Sequence, residues 1–436
     1  MAKATISLPR LDIQTLPGPE SIHRRRLNNG IVVLARENFA SPSVVFSGYI
    51  PGGSFGEVEE NAGLADFAIS ILMRGTLKRD FRAIYESIES VGASLALGTG
   101  KHTLSIYGKG LVEDLDLLLG LISEVLREPA FPAAQISRLR AEKLTSLALR
   151  EQNTGARAQL AFNDLAYPDH PYRIPTDGYV ESINKAGVKD LKEVHRERVG
   201  PRGMVITIVG AVHAQKAIDA VEREFGDWEN SNQEDMPGIP SIDWPGNLIR
   251  KDIALEGKAQ SDLIMGTPGP SRYEPDYLAA ALGNSILGRF GLFGRIGDRV
   301  REAAGLAYYA YSSLSGGPGP GAWQVIAGVN PVNVDKAVDL IRDEIGKFVT
   351  KRVSMEELND NKTNFIGRLP LQLESNEGVA RALVHLERYD LGLDYYQRYP
   401  QMIAEIKRDQ ILAIAQKFLH PDHLAVAVAG PKLDER

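Results

Sequence analysis

The stretch that decides the fold is "VGPRGMVITIVGA", Val199 to Ala211, because its pattern, though few of its residues, recurs at the tail of the chain. "LHPDHLAVAVAGP", Leu419 to Pro431, lies on it without a gap at an offset of 220 residues. Each copy reads as a helix end, a proline turn, and an apolar strand finishing in glycine. The same offset lays "LSIYGKGLVEDLDLLLGLISEVL" (Leu104 to Leu126) on "QVIAGVNPVNVDKAVDLIRDEIG" (Gln324 to Gly346), with Ile106 on Ile326 and Gly108 on Gly328. Both times a strand passes into an amphipathic helix. Two widely spaced matches at one offset predict an internal duplication.

The polar stretch Asp227 to Asn247 carries prolines and glycines as linkers do and falls between the copies. It predicts an N-terminal domain over 1–230, a linker over 231–247 and a C-terminal domain over 248–436. In the first copy "GIVVLAREN" and "SVVFSGYIPGG" read as strands, whereas "FRAIYESIESVGA" and "AAQISRLRAEKLTSLALREQN" have helical periodicity. The class expected is α+β, each domain a mainly antiparallel sheet with helices packed on one face. No glycine-rich phosphate fingerprint follows a strand. The cluster "SGGPGPGAW" (Ser315 to Trp323) places Gly316, Gly317, Gly319 and Gly321 in a hairpin connection, with a gate over a substrate chamber as the second reading.

The 436 residues suffice for a large core, and 43% hydrophobic with 24% charged content is ordinary for a globular protein. A net charge of −6 argues against a general nucleic-acid binder. The absence of cysteine removes disulfides, thiolate metal sites and cysteine nucleophiles. No apolar run approaches the ~18 residues of a membrane span, and the N-terminus lacks a signal-peptide core. The expected location is cytoplasmic, or periplasmic if a signal has been removed.

Chemistry concentrates in "NAGLADFAISILMRGT", Asn61 to Thr76, which reads as a short helix after Gly63 with Asp66 and Ser70 on one face. A residue set of Asp66, Ile69 and Ser70 offers no general base and too few metal donors, so a local Asp66–Ser70 capping or hydrogen-bonding pair is expected. Eight histidines are scattered along the chain; only His420 and His423 are close, in a proline turn.

The segment "GGSFGEVEENAGLADFAISILMRGT" resembles the first metal-site segment of the pitrilysin, insulin-degrading enzyme and mitochondrial processing peptidase family, G-L-A-H-F-x-E-H-x-x-x-x-G-T. Gly63, Leu64, Ala65, Phe67, Gly75 and Thr76 match. "HPYRIPTDG" (His170 to Gly178) and "REAAGLAYYAYS" (from Arg301) resemble two further family segments. The resemblance implies a pair of homologous domains forming half of a clamshell. It also places the family's two zinc histidines at Asp66 and Ser70, its glutamate base at Ile69, and its third ligand at Ser146, so all four chemical positions are changed. No metal is expected in this chain.

What the resemblance retains is Arg301 and, seven residues on, Tyr308. In the family, residues at this spacing reach across the chamber to bind the substrate backbone and stabilise the oxyanion. Guanidinium and phenol suit that task. Arg299 is the less favoured alternative. The resemblance therefore implies a non-catalytic subunit of a heterodimeric zinc metallopeptidase. It would complete a partner's H-x-x-E-H zinc site and act on unfolded peptide, without nucleic acid or membrane. A structural core-type subunit and a peptide-binding homodimer are the alternatives.

Overall fold

The computed structural model describes residues 8–291 and 294–432. The first sheet contains β1 (His23–Arg26), β2 (Val32–Glu37), β3 (Ser43–Pro51), β4 (Ser94–Thr99), β5 (Thr103–Leu111) and β6 (Val205–Gly210). Among them run α1 (Leu64–Leu72), α2 (Phe81–Glu89), α3 (Leu115–Arg127) and α4 (Ala133–Glu151). They are followed by α5 (Thr154–Ala166), α6 (Val180–Lys185), α7 (Val188–Arg198) and α8 (Ala214–Phe225). The second sheet contains β7 (Ile249–Ala254), β8 (Ser261–Pro268), β9 (Ala307–Leu314), β10 (Ala322–Val329) and β11 (Ala425–Gly430). Its helices begin with α9 (Tyr277–Gly288), the short α10 (Gly294–Ile296) and α11 (Val334–Thr350). The last four are α12 (Met355–Gln372), α13 (Asn376–Arg388), α14 (Tyr395–Glu405) and α15 (Arg408–Phe418).

Strand order makes the duplication visible. The first sheet runs β1-β2-β6-β3-β5-β4 and the second β7-β11-β8-β10-β9, the same order apart from the extra β1. Each sheet is mixed, with one parallel pair, β2 with β6 and β7 with β11, among antiparallel neighbours. The matching segments Val199 to Ala211 and Leu419 to Pro431 hold these inner strands β6 and β11, buried along their whole length. The matched glycines share a packing reason as well. Gly108 lies opposite Phe46, and Gly328 opposite Tyr309, where a Cβ would overlap the aromatic ring.

The fold is α+β as the sequence implies, but helices cover both faces of each sheet rather than one. Val33 and Ala35 of β2 face a core made with α1, α3 and α8. Val32 and Leu34, on the opposite face, pack against Val379, Ala380 and Leu383 of α13, a helix from the second half. Reciprocally, Ala158, Ala161 and Phe162 of α5 pack against Ala425, Ala427 and Ala429 of β11. The halves thus exchange a helix. Two-sided burial is why these inner strands read as continuous apolar runs. The stretch between α8 and β7 contains no helix or strand.

The exchanged helices are fixed at their N-terminal ends. Asp262 of β8, buried, accepts hydrogen bonds from Thr154 Oγ1 at the start of α5, from Tyr309 Oη, and from Gln260 Nε2 at 2.9 Å. Asn376 at the start of α13 receives a bond from Asn38 Nδ2 (2.7 Å) and gives one to Ser43 Oγ (3.1 Å).

Candidate active-site remnant and exposed Arg-Tyr pair

Helix α1 starts where the backbone turns left-handed at Gly63, φ 84°, and a Cβ there would meet the Asp177 carbonyl. The first free amides of the helix are met by a residue the sequence reading overlooked. Glu57, 2% exposed, accepts from Gly63 N–H at 3.0 Å and Ala65 N–H at 2.7 Å. Arg198 Nη1 stands 3.5 Å from the same carboxylate. Burial pushes the Glu57 pKa up, opposed by those amides, by Arg198 and by Lys101. Burial also pushes Lys101 down, to about 8. The acidic loop before the helix is thus its cap, which holds α1 in place whatever its side chains do.

The four positions that the resemblance assigns to zinc chemistry are Asp66, Ile69 and Ser70 on α1 and Ser146 on α4. Asp66 does not bond Ser70, correcting the local pairing expected from sequence. Its Oδ2 lies 2.5 Å from Nζ of Lys143, on the facing helix α4. The Lys143 side chain is 13% exposed and that of Asp66 25%. Ile69 is buried in the first core. Ser146 is exposed and returns its hydroxyl to the Glu142 carbonyl at 3.1 Å. Eight residues beyond Asp66, just past the end of α1, Arg74 binds Glu142 through two bonds of 3.2 and 2.6 Å. Helix α1 and the segment just past its end are therefore tied to α4 by two ion pairs, with Arg140 and Lys143 also standing over the ring of Phe67.

This donor set does not fit zinc. Its single carboxylate already carries an ammonium, two of its positions are serines, and the base position is a hydrocarbon. Among the described residues, no group of three or more His, Asp or Glu side chains could hold a metal ion.

Arg301 and Tyr308 lie in the second half. Arg301 belongs to a wide π-helical turn, Gly297–Ala303, a conformation that recurs at functional sites. It is partly exposed, with Nε 3.5 Å from Glu302 Oε1. Arg299, the alternative, is paired instead with Asp343 of α11 at 3.4 Å. Tyr308 is 65% exposed on β9, the edge strand of its sheet. In the ladder Ala307 lies opposite Val329 and Tyr309 opposite Gly328, so Tyr308 is the extra residue of a β-bulge. Bulges at sheet edges re-aim side chains, and this one turns Tyr308 outward while Tyr309 reaches Asp262.

The sequence pattern described as Insulinase (Peptidase family M16) matches residues 32–176, and that of the Peptidase M16 inactive domain matches residues 185–365. The chain belongs to the peptidase M16 family. It is 26% identical over 412 residues to a protein named an uncharacterized zinc protease of Mycobacterium leprae, covering 94% of this chain and 91% of that one. A similarly named protein of Streptomyces coelicolor is 23% identical over 430 residues, covering 96% and 92%. The crystal structure of a peptidase M16 inactive domain from Pseudomonas fluorescens superposes with a TM-score of 0.87 at 25% identity, covering 95% of this chain and 99% of that one. A protease from Helicobacter pylori shares the fold with a TM-score of 0.88 at 19% identity, over 95% of this chain and all of the other.

In this M16 chain the glycine loop between β9 and β10 is a fastened hairpin connection. Gly317 O accepts from Arg272 N–H at 2.8 Å, Gly321 O from Gly269 N–H at 2.6 Å, and Pro320 O from Tyr167 Oη at 3.1 Å. A Cβ on Gly319 would strike Tyr172, and one on Gly316 would strike Tyr277. Tyr172 also bonds His102 Nε2 at 2.7 Å, and burial holds that histidine down to about 4, so it is neutral. His420 and His423 sit in the turn before β11, their rings 5.8 Å apart. Among the described residues, no helix is long and apolar enough to cross a membrane.

Proposed function

We propose that this M16 chain is the non-catalytic member of a two-chain zinc peptidase. It lends Arg301 and Tyr308 to a partner's H-x-x-E-H site and takes part in the handling of unfolded peptide. The observation that carries the reading is a contrast within one chain. The one carboxylate among the metal positions, Asp66, is paired with Lys143, whereas Tyr308 is turned outward on an edge strand by a bulge, with Arg301 in a π turn just before it. The phenol can donate one hydrogen bond to a developing oxyanion, and the guanidinium is a permanent multi-donor cation.

The test mixes the purified chain with a homologous chain that keeps H-x-x-E-H and follows cleavage of an unfolded peptide. Neither this chain alone nor with added zinc should cleave. The mixture should, and Arg301→Ala or Tyr308→Phe should lower turnover by about 10²–10³-fold, the effect of losing an oxyanion donor, while assembly persists. Full turnover by both variants would remove the role assigned to the pair.

A further inference from the structure

The direction of Tyr308 is decided by its neighbours in the sheet. Side chains of a strand alternate between its two faces. Ala307 and Ala310 of β9 nevertheless both pack into the core of the second half, although they stand three positions apart. The bulge residue Tyr308 accounts for the extra step. Its neighbour Tyr309 lies on the other face, beside Tyr311, with ring centroids 6.1 Å apart.

On that face three residues form one row across the sheet: Tyr309 of β9, Gly328 of β10 and Asp262 of β8. Gly328 has no side chain, which lets the Tyr309 ring lie across it; a Cβ there would stand 2.5 Å from Tyr309 Cε1. The phenol thereby crosses a whole strand and donates to Asp262 Oδ1. Asp262 is 4% exposed and also accepts from Gln260 Nε2 and from Thr154 Oγ1 at the start of α5. Burial first, and then the Asp262 carboxylate, push the Tyr309 phenol up, so it stays a donor.

The row makes a seat for one phenol. Tyr308 and Tyr309 are consecutive and chemically identical, and either could stand opposite Gly328 if the bulge moved by one residue along β9. Such a move would leave Ala307 opposite Val329 and Ala310 opposite Ala327, so the core does not choose between them. The seat takes one tyrosine and leaves the other pointing outward. A buried carboxylate that loses a donor is costly, so an emptied seat favours whichever phenol can reach it.

We propose that Asp262 is a positioning residue for Tyr308. By holding Tyr309 across Gly328 it fixes the bulge on Tyr308 and keeps that phenol outward, free to donate. The catalytic use of Tyr308 rests on the proposed function; the control of its direction does not.

The test is tetranitromethane nitration of the isolated full chain, with each tyrosine read separately by tandem mass spectrometry. In the wild type Tyr308 should be nitrated and Tyr309 protected. Tyr309→Phe empties the seat while Thr154 and Gln260 stay on Asp262. Tyr308 should then move in, and its nitration should fall about tenfold, the population shift expected for one hydrogen bond to a charged group. Adding Asp262→Ala to Tyr309→Phe removes the acceptor too, and Tyr308 nitration should return to the wild-type level. With an H-x-x-E-H partner, Tyr309→Phe should lower kcat by the same factor and leave KM near the wild-type value. Full turnover beside the fall in nitration would remove the catalytic role of Tyr308 and support its positioning by Asp262. Undiminished Tyr308 nitration in Tyr309→Phe, a fall that persists in the double variant, or nitration of Tyr309 in place of Tyr308 in the wild type would overturn the proposal.

Discussion

The ion pair between Asp66 and Lys143 gives the sharpest energetic prediction. Exposed pairs contribute about 0–1 kcal/mol, and stripping one partner from a fully buried pair costs about 3–5 kcal/mol. Side-chain exposures of 25% and 13% lie between these limits. We expect a coupling of about 2 kcal/mol from the cycle of Asp66→Asn, Lys143→Met and the double variant. Lys143→Met alone should cost slightly more, because it also removes the ammonium from over Phe67, about 0.5–1 kcal/mol. Two separate cores make a single melting transition an unsafe measure, so the readout is amide hydrogen exchange in α1 and α4. A coupling of this size is about 30-fold in the opening equilibrium of those helices. A chelator should change nothing. Single effects that add to within about 0.5 kcal/mol would refute the claim that this pair ties α1 to α4.

Asp262→Ala should cost about 2–3 kcal/mol, since it strips a carboxylate acceptor from Thr154, Tyr309 and Gln260, and should raise exchange or proteolysis selectively at the start of α5. Unchanged protection of α5 would show that the exchanged helix is held by its apolar face alone. His102 and His385 are both held down to about 4, by burial first, against about 6.5 in an unfolded chain. The unfolded state therefore binds protons that the folded state refuses as pH falls from 6.5 toward 4, and stability drops through that window by up to about 3 kcal/mol per histidine. His102→Gln should flatten the urea-midpoint profile between pH 6.5 and 4.5, and a slope identical to wild type would contradict the assignment.

How much of this was legible in the sequence depends on the range of the interaction involved. The duplication could be read because β6 and β11 are buried on both faces, leaving uninterrupted apolar runs with a proline turn before each. The helix α1 and its departures from H-x-x-E-H were legible position by position. The exchange of α5 and α13 was not. Their apolar faces, Ala158, Ala161 and Phe162 in one, announce burial without saying against which sheet. The Asp66 partner also escaped, although Lys143 stands one turn before Ser146 on α4 and so faces the same cleft. Residues far apart in sequence meet only through the fold. Glu57 was hidden for a related reason: an acid in a loop reads as solvated until the helix it caps is placed over it.

The sheet edges bear on the function in a way that no single residue does. An edge strand exposes unpaired backbone groups, and proteins commonly protect it with charges or proline. The outer edge of the first sheet is β1, His-Arg-Arg-Arg, and that of the second is β7, with Arg250, Lys251 and Asp252 in mid-strand. Both are defended. The opposite edges are β4, Ser-Leu-Ala-Leu-Gly-Thr, and β9, Ala-Tyr-Tyr-Ala-Tyr-Ser-Ser-Leu, and neither holds a charge or a proline. In both halves the undefended edge is the one that follows the helix related to the metal site, α1 in the first and α9 in the second. A chain that worked alone in solvent would protect these edges only by the bulge at Tyr308 and by the short length of β4. A chain whose bare edges are covered by a partner, or by an extended peptide between the two, exposes neither. The bulge at Tyr308 belongs to this account, because it interrupts the longer bare edge at the residue proposed to reach the partner's site. The two edges without charge or proline are the ones that the proposed partner or peptide would cover.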